Sequence, residues 1–163
     1  MSNKRSARLL VAGATLLATA VLVAGCGGEP PADKGATKAS PTVGMQRSPA
    51  PPGATVFIFS PESGATVTSP IAVKFGVSGV SIAPAGQLQA NSGHHHLLID
   101  TALADANQAV PKNAQHVHYG KGQTEAMVEL EPGQHTLQLV LGDGNHIPHE
   151  PPIVSQIVTI TVE

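Results

Sequence analysis

The chain has one cysteine, no tryptophan, three phenylalanines and one tyrosine among its 163 residues. A lone cysteine, Cys26, leaves nothing for an internal disulfide and excludes blue-copper and thiolate zinc sites. So few aromatic residues give no stacking platform of the kind that many single-strand and sugar binders use. Met127 is the only methionine after residue 53, which argues against a thioether-rich copper(I) site. Basic residues are scarce as well. From Ala54 onward three lysines face nine carboxylates, a net charge of −6 with histidines neutral. That balance argues against nucleic acid and against electrostatic docking to anionic lipid, and it suits the attraction of cations. The chain has no Gly-x-Ser-x-Gly elbow, phosphate loop or His-Glu-x-x-His helix. Asp143-Gly144-Asn145 lacks the further oxygen ligands of a calcium loop and reads as a turn.

The one long apolar run, Leu9 to Val23, follows Lys4, Arg5 and Arg8 and stops at Val23-Ala24-Gly25-Cys26. It has the form of a secretory signal, too short and wrongly flanked for a stable membrane span. Its end resembles the bacterial lipoprotein box, which implies cleavage before Cys26 and lipidation of that residue. Residues 1–25 are therefore expected to be a leader and Cys26 a lipid anchor in the cell envelope. Gly27, in place of an aspartate, leans toward the periplasmic side of an outer membrane if there are two membranes. With one membrane the domain faces outward. Residues 26–53 are rich in Gly, Pro, Ala, Ser, Thr and Lys and have no run of large apolar residues. They cannot bury enough surface to offset their ordering entropy and read as a tether. Residues 54–163 then form one domain.

That domain alternates with period two. Ile71, Val73, Phe75 and Val77 share one parity, His135, Leu137, Leu139 and Leu141 another, and Val158, Ile160 and Val162 a third. Turn residues such as Pro132-Gly133 and Gly142-Asp143-Gly144-Asn145 separate the runs. This is the pattern of an all-β, immunoglobulin-like antiparallel β-sandwich, here of about seven strands and without a disulfide. Ala102 to Val110 is the one stretch able to form a short turn of helix.

All eight histidines lie between positions 94 and 149. Imidazole is the commonest metal ligand and titrates near neutrality. If His94 to Asp100 is a strand with Leu97 and Ile99 facing the core, His94 and His96 project together from the other face, about 6.5 Å apart. His95 then points inward and finds a hydrogen bond. Leu98 disturbs this parity. His116 and His118 repeat the same spacing around Val117. His146 and His149 sit in a proline-stiffened loop, where pre-ordering lowers the entropy lost on organising ligands. His135 reads as a local cap on the core. The candidate metal ligands are thus His94, His96, His116, His118, His146 and His149.

Several stretches carry a resemblance: Gly93-His94-His95-His96-Leu97-Leu98-Ile99-Asp100, His118-Tyr119-Gly120-Lys121-Gly122-Gln123-Thr124, and Pro132 to Leu139 running on into Gly142 to His149. With Phe59-Ser60-Pro61 and Val73 to Val77, they resemble a family of small exported bacterial domains with no assigned function. The resemblance runs from about Val56 to the C-terminus and supplies no site residues. The residues support two main readings. One is a tethered envelope protein that binds copper(II) or zinc. The other is a non-metal interaction module whose histidines form a hydrogen-bonded polar seam. An enzyme, such as a metal-assisted hydrolase or a redox protein, ranks third because no catalytic constellation is evident.

Overall fold

A computed structural model describes residues 46–163. The leader, Cys26 and the tether as far as residue 45 lie outside the described residues. Strand β1 is Thr55–Ser60, β2 Thr66–Val67, β3 Ile71–Ser78, β4 Ser81–Ile82 and β5 Ser92–Ile99. These are followed by β6 (His116–Tyr119), β7 (Glu125–Val128), β8 (Gly133–Gly142) and β9 (Val158–Val162). No helix occurs among the described residues. Ala102–Val110 is loop, with a turn at Ala106 and Asn107. There the Asp105 carboxylate accepts the Asn107 amide at 2.8 Å, a local side-chain bond that competes with helix.

The strands form a sandwich of two sheets. The smaller is antiparallel, in the order β1-β3-β7. The larger runs β2-β9-β8-β5-β4, with β6 also pairing with β5. The two-residue strands β2 and β4 pair in parallel with β9 and β5 respectively and account for the excess over the seven strands expected. Apolar parity builds the core between the sheets. Val56, Ile71, Val73, Phe75 and Val128 come from the small sheet, and Leu97, Ile99, Leu137, Leu139, Leu141, Ile160 and Val162 from the large one. Each fully buried leucine contributes about 1.5–3 kcal/mol of transfer free energy.

The central strand β5 is buried along its whole length. Its Leu97 and Ile99 face the main core. Leu98, on the other parity, packs with Val110 and Val140 in a second, smaller cluster, against which Leu103 rests. The loop between β5 and β6 therefore covers part of the outer face of the large sheet. This resolves the broken parity, because both faces of β5 are covered. The histidine face is not a solvent face.

Candidate metal centre

Register decides which histidines meet. In the β5–β6 pairing His96 lies opposite His118, and Leu98 lies opposite His116. In the β5–β8 pairing His94 lies opposite Gly142 and His96 opposite Val140. Directly opposed residues of an antiparallel pair share a face at side-chain contact distance. His94, His96 and His118 therefore converge on the outer face of the large sheet. Each offers a ring nitrogen, and the three nitrogens lie within 4.8 Å of one another. Nε2 of His94 and Nε2 of His96 are 3.0 Å apart.

A fourth ring comes from the loop after β8, which folds back so that Pro148 bridges to Gly142. His146, with φ of 68°, places its ring centroid 4.9 Å from His94 and 4.8 Å from His118. His94 and His96 are fully buried, whereas His118 and His146 are partly exposed. The cluster thus has a closed floor and an open side. Nδ1 of His94, Nδ1 of His96 and Nε2 of His118 are buried without a protein hydrogen-bond partner among the described residues, as is Nε2 of His95 in the core. Buried polar atoms left unpaired are rare and costly, and an unplaced ion or water is one standard explanation.

The other four histidines have different surroundings. Nδ1 of His116 is 2.9 Å from the Asn113 side-chain oxygen, and the residue sits two register pairs away from His118, opposite Leu98. His149 is buried between two backbone carbonyls, with Nδ1 3.3 Å from Leu141 O and Nε2 3.2 Å from Ser92 O. His95 points into the core, stacks near Phe75 at 5.1 Å and bonds the Gln123 carbonyl through Nδ1 at 3.0 Å. His135 is a local anchor: Nδ1 donates to Asp100 at 2.6 Å and Nε2 lies 2.9 Å from the Glu131 carbonyl. Of the six candidate ligands, then, four rings come together, and His116 and His149 face partners of their own.

Residues 73–163 match the family described as a domain of unknown function, DUF4399. The chain belongs to that family. The match takes in every histidine and begins after β1 and β2. No curated protein and no solved structure matches the chain.

The electrostatics of this DUF4399 domain follow from burial and crowding. Burial, then the charges of His146 and His118, pushes His94 down to about 4. Burial, then His94, His118 and His146, pushes His96 down to about 2. His118 is lowered by burial, by His146 and by Lys112. Desolvation and mutual repulsion both penalise the imidazolium. These rings are therefore neutral at pH 7, the form in which imidazole binds a metal.

Five residues that support the site were not read as such in the sequence. A Cβ at Gly142 would lie 2.9 Å from Nε2 of His96, and one at Gly120 only 2.3 Å from Cε1 of His118. Both glycines make room for ligand rings. Asp143, read as a turn residue, is buried and accepts the amides of Asn145 at 2.8 Å and Ile147 at 3.1 Å, fixing the loop around His146. Ser48 donates to its other oxygen at 2.8 Å. Arg47 bonds the Pro148 carbonyl at 3.0 Å, the His149 carbonyl and the Glu150 carboxylate. Residues 46–50, counted with the tether in the sequence, thus strap the histidine loop. A glycine closing an apolar strand was the one available signal for Gly142, whereas the strap is a contact across about a hundred residues that spacing does not reveal.

Proposed function

We propose that this domain is a membrane-tethered envelope module that binds one divalent transition ion, zinc or copper(II), in the histidine cluster. The observation that carries the reading is the convergence of four imidazole rings, three of which bring a ring nitrogen within 4.8 Å of one another. An all-nitrogen donor set suits zinc or copper(II). The acidic domain favours cation approach. The leader-like segment and Cys26 support an exported, lipid-anchored location. The reading is of binding and not of catalysis.

The 3.0 Å contact between His94 and His96 favours a second reading, a hydrogen-bonded seam within a protein-interaction module. The two readings separate by metal titration of the full-length protein, purified without a histidine tag. One equivalent of zinc or copper(II) bound by the wild type, and lost in His94→Gln/His96→Gln, supports the metal site. No uptake at micromolar metal, with altered unfolding stability in the same variant, supports the seam.

A further inference from the structure

We infer that the site is a closed, four-histidine tetrahedral centre of the zinc type, with His146 as the fourth ligand beside His94, His96 and His118. The inference rests on the metal reading above and goes further, to coordination number, geometry and class of ion.

The six ring-centroid separations carry it. His94 is 4.8 Å from His96, 4.9 Å from His118 and 4.9 Å from His146. His96 is 5.0 Å from His118 and 5.8 Å from His146, and His118 is 4.8 Å from His146. With a Zn–N bond of about 2.05 Å and ring nitrogens about 1.15 Å from their centroids, each centroid sits about 3.2 Å from a bound ion. A tetrahedron of that radius has all six separations at about 5.2 Å, whereas a square has four at about 4.5 Å and two at about 6.4 Å. The two long separations of a square belong to pairs that share no ring. Here the longest pair is His96 with His146, and its complement, His94 with His118, is short at 4.9 Å. The four centroids surround a point and do not lie in a plane. The ring nitrogens of His94, His96 and His118 lie within 4.8 Å of one another, and the His146 ring, outside that group, turns a nitrogen toward them when the ion binds.

Their scaffold holds that shape. Two rings stand on the central strand and one on its hydrogen-bonded neighbour. The fourth arrives from above on a loop fixed by Asp143 and by a Val110 amide bond to the His146 carbonyl at 2.9 Å. Tetragonal copper(II) requires four donors near one plane, which three sheet-borne rings capped by a fourth do not offer. Four imidazoles also complete the coordination shell of zinc, the arrangement of a retaining site and not of one that activates a water.

Cobalt(II) and zinc loaded separately into the full-length, tag-free protein provide the test. The expected cobalt(II) spectrum has the intense visible bands of tetrahedral coordination. X-ray absorption of the zinc form is expected to show four nitrogens at about 2.0–2.1 Å and no further ligand. His146→Asn keeps a residue type that tolerates positive φ. It is expected to weaken zinc binding by more than about tenfold and to admit a solvent oxygen. A bound ion with five or six ligands, or zinc affinity unchanged in His146→Asn with the fold intact by circular dichroism, overturns the inference and leaves the metal reading standing. Failure of the wild type to bind zinc or cobalt overturns the inference, and failure to bind copper(II) as well overturns the metal reading.

Discussion

Acidifying the metal-free protein should unfold it early, and the size of the effect follows from two buried rings. In the unfolded chain His94 and His96 take up protons below about pH 6.5. In the fold they resist protonation down to about 4 and about 2. Between those limits the unfolded state binds more protons, so stability falls as pH falls. The contribution is fully present above the unfolded value and is lost through the window from about 6.5 downward. At pH 5 each ring costs the fold about 2 kcal/mol, so the pair removes on the order of 4 kcal/mol relative to pH 7.5. That is a large share of the usual 5–15 kcal/mol or so of a domain. His95 and His118, also lowered by burial, add in the same direction. His135 opposes them, since its bond to Asp100 raises it and its contribution is lost as pH rises through that raised value. Its partner is largely exposed, so this opposing effect is small. Urea unfolding of the metal-free protein from pH 7.5 to 5 measures the slope, and His94→Gln/His96→Gln should flatten it. A stability that stays level or rises toward pH 5 would refute the burial argument.

Three further outcomes follow from the same contacts. Gly142→Ala should displace the His96 ring, because the added carbon meets Nε2 at 2.9 Å beside the backbone of His146; zinc affinity by calorimetry should fall while Met127→Ala, an exposed position on the other sheet, leaves it unchanged. Arg47→Ala should loosen the loop from Asp143 to Glu150, seen as faster amide exchange at Ile147, whose amide bonds Asp143, with strands β3 and β7 unaffected; unchanged exchange at Ile147 would mean that the strap does not hold the loop. Zinc at about a hundred times its dissociation constant should raise unfolding free energy by about 2.7 kcal/mol at pH 7.5, and the gain should shrink toward pH 5 as protons compete for the imidazoles.

Much of the fold was legible because period two is a local property. Val73 and Phe75 alternate with Lys74, and Val158 and Ile160 with Thr159, so the sheets and their inner faces follow from spacing. The split of His94 and His96 from His95 was legible for the same reason. Leu98 obscured it, because a loop some ten residues away supplies Val110 to bury the outer face. The meeting of His118 with His96 depends on strand pairing, and that of His146 on how a loop returns over Gly142. Both are long-range facts without a local signature. His149 shares a loop with His146 yet lies between the Ser92 and Leu141 carbonyls, a difference set by three residues of backbone path.

The account turns on whether the four rings hold an ion. Equilibrium dialysis of the full-length, tag-free protein against micromolar zinc, with metal measured by mass spectrometry, tests this most directly. The account predicts one zinc per chain in the wild type and none in His94→Gln/His96→Gln. A wild type that emerges metal-free, or a double variant that keeps its zinc, would contradict it.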